Sequence, residues 1–237
     1  MIIGATADLH LPKYYKEFIA ALDKVNYTFD LFLLAGDIIN GKNIEDFEKF
    51  YNSLFGKVEC PIVMVFGNNE FSEIRMYLKL KYPDIIFLED ESVILKVKDK
   101  IVGIYGSSGV LDKPTSWQMK NIPGIEEIYK ARLERIKTGL NKLLVDYKIL
   151  LLHYAPTYAT LEGEPPFAYP SMGSKKLEPI LKETKPDLVV HGHSHNGKQF
   201  AWVEGVPVYN VAFPANNKIV VIKTEEVKPA LLKYMQK

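Results

Sequence analysis

Residues 2–10 read Ile2-Ile3-Gly4-Ala5-Thr6-Ala7-Asp8-Leu9-His10: an almost continuously apolar run that stops at a carboxylate and an imidazole. A short run without polar alternation suits a strand covered on both faces, as parallel strands in α/β proteins are. Leu31 to Ala35, Ile62 to Phe66, Ile149 to Leu152 and Leu188 to Val190 have the same character. Between several of them, Lys13 to Val25, Asn43 to Phe55, Ser72 to Leu80 and Gly124 to Val145 carry apolar residues at three- and four-residue spacing, so helices are expected there, the third capped by Ser72. Strands alternating with helices imply parallel pairing with helices outside.

Two regions break this rhythm. Ile85 to Leu88, Val93 to Val97 and Ile101 to Tyr105 follow one another closely, as do Phe200 to Val203, Val206 to Phe213 and Ile219 to Ile222. They read as antiparallel additions turning at Asp99-Lys100, Glu204-Gly205 and Asn216-Asn217. The expected fold class is α/β, with two packed mixed β-sheets flanked by helices on both outer faces, a four-layer αββα sandwich. Ser107 to Pro123 and Thr157 to Gly173 read as long loops, a length more often functional than idle.

The chain has 237 residues, 47% hydrophobic and 25% charged, enough for a full core and too apolar for disorder. No repeat or Gly/Ser linker marks a boundary, so residues 1–237 are expected to form a single domain. Lys and Arg nearly balance Asp and Glu, for a net charge of +1, so nothing global draws the protein to nucleic acid or an anionic surface. The N-terminal residues lack a basic and long apolar leader, and no apolar run approaches the roughly 20 residues that span a bilayer. One cysteine, Cys60, fits a reducing compartment; the cytoplasm is the expected location, without a membrane partner.

All five histidines lie in three segments, each at the end of an apolar run: His10, His153, and His191, His193, His195. Ligands in α/β proteins gather at the C-terminal ends of strands. In extended backbone, residues two apart share a side, which would let Asp8 and His10 grip one ion and His193 and His195 another. Ala35-Gly36-Asp37 ends its run with a carboxylate able to bridge two cations, and Gly67-Asn68-Asn69-Glu70 is equally good turn chemistry. Three histidines within Val190-His191-Gly192-His193-Ser194-His195, following an apolar strand, read as metal binding.

In order, these motifs are D-x-H, G-D, G-N-N-E, H and G-H-x-H. The string resembles the calcineurin-like metallophosphoesterase family, whose usual third motif is G-N-H followed by an acid. The resemblance implies two divalent transition ions, one on Asp8, His10, Asp37 and His195, the other on Asp37, Asn68, His153 and His193, with Asp37 bridging. Mn²⁺ is favoured, and Fe, Zn, Co or Ni would suit the same ligands. Two such ions against two carboxylates and a bridging hydroxide leave about one surplus positive charge to hold a phosphoryl group for attack by that hydroxide. Glu70 would organise its own turn, as the family's acid does.

Asn69 stands where the family has a histidine that serves the leaving oxygen. An amide can donate a hydrogen bond there but cannot deliver a proton. The missing proton would have to come from water, His191, Tyr154 or Tyr158, or not at all. Family members without this histidine tend toward diesters, so a phosphodiesterase acting on a small nucleotide-like or other phosphorylated molecule is expected, with nucleic acid an unlikely substrate. His191 is expected to be buried and to orient a neighbour. Trp117, Phe167 and Tyr169 could stack on a substrate ring or on each other. A catalytically weak interaction scaffold of the same fold is the alternative, although every ligand position is filled. A nuclease would be expected to bring a basic face, and a metallo-β-lactamase-type hydrolase needs H-x-H-x-D-H, which Asn196-Gly197 interrupts.

Overall fold

In the computed structural model, which describes residues 1–227, eleven strands form two sheets. The first holds β1 (Ile2–Thr6), β2 (Leu31–Leu34), β3 (Ile62–Val65) and β4 (Ile85–Leu88), all parallel, with β11 (Val220–Lys223) antiparallel beside β1. The second runs β5 (Glu91–Val97), β6 (Lys100–Ser107), β7 (Tyr147–Leu152), β8 (Leu188–His191), β10 (Val206–Asn210), β9 (Phe200–Val203), with parallel pairing from β6 through β8 to β10 and antiparallel edges.

The apolar runs are continuous because successive side chains enter different cores. Leu31 and Leu33 join Ile3, Val63, Val102, Ile149 and Val190 between the sheets. Phe32 and Leu34 point the other way and pack with Phe18 of α1 (Tyr15–Asp23), Phe47 and Phe50 of α2 (Ile44–Ser53) and Leu78 of α3 (Ser72–Lys81). On the far side, Leu150, Leu152 and Val189 meet Ile136 and Leu140 of α5 (Ile125–Lys142) and Leu181 of α6 (Glu178–Thr184). Helix, sheet, sheet, helix is the expected four-layer order. The expected single domain extends over residues 228–237, which lie outside the described residues. No helix among the described residues is long and apolar enough to cross a membrane.

Several local expectations are corrected. Ile85 to Leu88 pairs parallel with β3 in the first sheet, because α3 between them makes a crossover. The hairpin after β5 turns at Lys98-Asp99, one residue earlier than expected, since Val97 pairs directly with Lys100. Glu204-Gly205 does join paired strands, both residues in the left-handed region that such a tight hairpin needs. Asn216-Asn217 is no hairpin: β10 ends at Asn210, Phe213–Asn216 forms a helical turn, α7, and the chain crosses to the first sheet as β11. Ser72 lies inside α3, its hydroxyl on Glu73; the residue before the helix is extended Phe71. The two long loops carry α4 (Ser116–Asn121), closed by a Thr115/Gln118 capping box, and a 3₁₀ helix over Pro166–Ser171.

The step from the first sheet to the second is fixed at Asp90, left-handed at φ 58°. Its carboxylate accepts from Ser107 Oγ, from Arg132 Nε at 3.0 Å and from Arg135 at 2.9 Å, tying α5 to the corner between β4 and β5. Burial works to raise this carboxyl, but the Arg132 charge and the three donors outweigh it and hold it below the ordinary value of 3.8. Stability from a depressed carboxyl is fully present above that value and is lost as pH falls through the folded pKa. Asp90→Asn is therefore expected to cost about 1–2 kcal/mol at pH 7, discounted for the partly exposed Arg135. In melts of both proteins from pH 7 to 3, the gap should narrow below pH 4.

Candidate metal centre

β1, β2 and β3 in one sheet and β7 and β8 in the other end at a common rim, and each run leaves its polar residues there. The turns lock to one another through backbone bonds: Asp8 N–H to Gly36 O at 2.9 Å, His10 N–H to Asp37 O at 3.0 Å, and within the second sheet, Gly192 N–H to His153 O at 3.1 Å. Gly67 must be glycine, since a Cβ would enter the Asp37 carboxylate. Asp8, His10, Asp37 and His193 all have left-handed backbone, at φ 57°, 45°, 55° and 68°. Strain of this kind at non-glycine residues gathers where surrounding structure over-determines a site. It also shows that Asp8 and His10 converge through a turn and not through the period of an extended strand.

The seven candidate ligands form two groups. His10 Nε2, His195 Nε2 and Asp8 Oδ1 make a triangle with edges of 3.3, 3.2 and 3.7 Å. Donors about 2.1 Å from one ion stand roughly 3–3.5 Å apart, so this triangle fits a divalent cation closely. In the second group, donor atoms of Asp8, Asp37, His153 and His193 lie within 4.8 Å of one another. Asn68 Oδ1 adds a neutral oxygen 3.1 Å from His153 Nε2. Asp37 Oδ2 lies 3.6 Å from His153 Nε2 and 4.0 Å from His10 Nε2, between the groups. Asp8 contributes to both.

Ring orientation is set from behind. Nδ1 of His153 donates to Ala35 O at 2.8 Å, and Nδ1 of His10 to Asn40 Oδ1 at 2.9 Å, leaving each Nε2 as the inward lone pair. Burial, aided by the charge on His153, pushes His193 down to about 3 and keeps it neutral. Burial opposes ionisation of Asp8, yet its hydrogen bond with His195 and the His153 charge outweigh this and hold the carboxyl low. For His195 the hydrogen bond to Asp8 dominates and raises it; for His153 burial would lower it, and Asp37 and Asp8 more than reverse that. Imidazole nitrogens, carboxylates and an amide oxygen are a donor set suited to divalent transition ions, and a bound cation would take the place of the protons that Asp8 and Asp37 favour on His153 and His195.

Around the ligands, Glu70 accepts from the N–H groups of Gly67 at 2.7 Å and Asp37 at 2.9 Å, binding the β2 turn to the β3 turn. Burial and the nearby Asp37 raise it to about 7 against those donors. Asn69 donates its backbone N–H to Asp37 Oδ1 at 2.7 Å and its side-chain amide to Oδ2 at 2.6 Å, so both oxygens of the Asp37 carboxylate are held by one residue. His191 is buried and outside the cavity wall; burial lowers it to about 4, and its Nε2 meets Thr160 Oγ1 at 2.8 Å. Tyr154 and Tyr158 are also turned away, onto Gln118 and Asp112. Trp117 and Phe167 are exposed and Tyr169 packs edge-on against Tyr158, none of them in the wall of the cavity.

Sequence reasoning missed four residues. Asn40 fixes His10, and Arg75 donates to the carbonyls of Gly67 and Glu70 on either side of Asn68-Asn69 while pairing with Glu89. Met172 and Asn196 line the cavity. Asn196, directly after the histidine trio, and Met172, inside the long loop over Thr157 to Gly173, carried a positional signal.

No match was found among curated proteins. Among solved structures the fold is similar to phosphopantetheinyl hydrolase from Mycobacterium tuberculosis, with a TM-score of 0.64 at 14% identity over 89% of this chain and 88% of that one. It is likewise similar to TT1561 of Thermus thermophilus, with a TM-score of 0.59 at 15% identity over 94% and 98%. Against Haemophilus influenzae NAD nucleotidase the TM-score is 0.53 at 18% identity, covering 94% of this chain and 55% of that chain. A family model, calcineurin-like phosphoesterase, matches residues 1–197 and takes in all five motifs, from Asp8 to His195. With the two donor groups at the rim, this match makes the chain a member of the calcineurin-like phosphoesterase family.

Proposed function

We propose that, within the phosphoester hydrolysis of its family, this protein is a phosphodiesterase for a small nucleotide-like or other phosphorylated molecule, working in the cytoplasm as one domain over residues 1–237. Asp8, His10, Asp37 and His195 hold one divalent ion and Asp37, Asn68, His153 and His193 the other, Mn²⁺ before Fe, Zn, Co or Ni. When bound, two such ions supply positive charge to the phosphoryl group and make water a nucleophile at neutral pH.

The chain's own residues orient and shield. Asn40 and Ala35 O hold the imidazoles of His10 and His153 in one tautomer, Glu70 ties together the turns bearing Asp37 and Asn68, and Asn69 keeps both oxygens of Asp37 directed. The observation that carries the diester reading is the position of Asn69. Its amide is committed to Asp37, and the other residues that could protonate a leaving oxygen, His191, Tyr154 and Tyr158, face elsewhere. A leaving group that must depart without a positioned acid favours a substrate of low charge with a good leaving group.

Titration of metal-stripped protein with Mn²⁺ in a calorimeter should give two ions per chain. His195→Asn is expected to lose one of them and Asp37→Asn to weaken both by tenfold or more; an unchanged isotherm for both variants would remove the ligand assignment. In Mn²⁺, bis-para-nitrophenyl phosphate should turn over faster than para-nitrophenyl phosphate, and a faster monoester would overturn the diester preference. Asn69→His is expected to raise monoester kcat by about tenfold or more, as restored proton transfer would.

A further inference from the structure

The cavity over the rim, about 330 Å³, is walled by His10, Asp37, Asn68, His193 and His195 of the donor groups and by Asn69, Glu164, Met172 and Asn196. Among the described residues, no lysine or arginine stands in this wall. Its one charged side chain outside the donor groups is Glu164, which is only 7% exposed. Its carboxylate is fixed in place: Oε1 accepts from Asn196 N–H at 2.8 Å and Ser194 Oγ at 3.2 Å, and Oε2 from Asn196 Nδ2 at 3.0 Å. Three donors converging on one carboxylate is the bonding of an ionised acid, which accepts and does not donate.

The segment bearing Glu164 cannot swing away. Thr160 is bonded to His191, Glu162 pairs with Lys198, and at Gly163, with φ +117°, a Cβ would strike the carbonyl oxygen of Asn196. The loop over residues 157–164 is thus stitched to the turn carrying His193 and His195 and presents the Glu164 carboxylate beside it. Oε2 accepts one hydrogen bond where a carboxylate oxygen can take two, so a neutral or cationic donor is welcome at this wall and a second anion is not.

We propose that Glu164 is a specificity-determining residue that limits the substrate to a single phosphate, rejecting molecules that bring a second phosphate into the cavity and admitting those whose other arm carries hydroxyl or amino groups. This rests on the phosphoester reading of the rim. Among the described residues of the wall no lysine or arginine adds positive charge beside the ions the donor groups would hold, so a second phosphate meets Glu164 without such a cation to offset it.

Binding separates the two ideas without turnover. Mn²⁺-loaded protein is titrated calorimetrically with thymidine 5′-monophosphate and with thymidine 3′,5′-bisphosphate. The monophosphate should bind about tenfold tighter or more, and Glu164→Gln should shrink that ratio to about threefold or less. Met172→Lys, which leaves the Glu164 hydrogen bonds untouched, should shrink it as well and decides the matter if E164Q does not fold. The same order should appear in KM for the para-nitrophenyl 5′-esters of the two nucleotides. A wild-type ratio near one, a ratio unmoved by a folded Glu164→Gln, or, where that variant does not fold, one unmoved by Met172→Lys, overturns the charge limit. Failure of both nucleotides to bind overturns the phosphoester site itself, and the charge limit with it.

Discussion

Two carboxylates, Asp8 and Asp37, are buried side by side at one rim, and the rest of the molecule answers the cost of putting them there. Each loses several kcal/mol of hydration on burial, a loss recovered only when hydrogen bonds and positive charge surround it. Backbone N–H groups supply part of this: His193 to Asp8 Oδ2 at 2.7 Å and Asn69 to Asp37 Oδ1 at 2.7 Å. Imidazoles take up the next positions, His195 on Asp8 and His153 near Asp37. What remains is a cluster whose anionic oxygens and nitrogen lone pairs converge on two points, an arrangement that divalent cations complete and that nothing else among the described residues could neutralise as compactly.

Neither sheet could build this alone. Asp8, His10, Asp37 and Asn68 come from the first, and His153, His193 and His195 from the second. The sheets approach closely because the rim end of the core between them is lined by Ala5, Ala7 and Ala35, where larger side chains fill it deeper in. That closeness lets a backbone carbonyl of the first sheet, Ala35 O, choose the tautomer of a histidine on the second. Core packing and ligand geometry are therefore one constraint: a larger residue at position 35 would push the sheets apart and release His153 from its partner at the same time.

The layered architecture was legible because each strand had to feed two cores, which forces unbroken apolar runs such as Leu31 to Leu34. The candidate ligands that meet at the rim were legible because they follow those runs directly. The reason they converge was not: extended period-two geometry explains neither Asp8 with His10 nor His193 with His195, since three of the four sit in left-handed turns outside the strands. The sense of β4 was hidden because direction depends on the crossover through α3 and not on the residues Ile85 to Leu88 themselves. Asn40 and Arg75 were invisible for a different cause. Each acts on backbone or on another ligand across the fold, and no spacing along the chain encodes a contact made in space.

Asn69 and Glu164 lie on different elements, after β3 and in the loop beyond β7, and both act on charge in the same direction. A histidine at position 69 would add a proton donor over the leaving oxygen; the amide adds none and turns to Asp37. A neutral residue at 164 would leave the surplus positive charge of two bound ions intact, whereas the carboxylate cancels about one unit of it beside the cavity. A dianionic monoester needs both the surplus charge and the acid, because its negative charge must be held and its leaving group released. A monoanionic diester needs less of each. The proposed preference thus rests on Asn69, and the charge of Glu164 in the same cavity wall acts in the same direction.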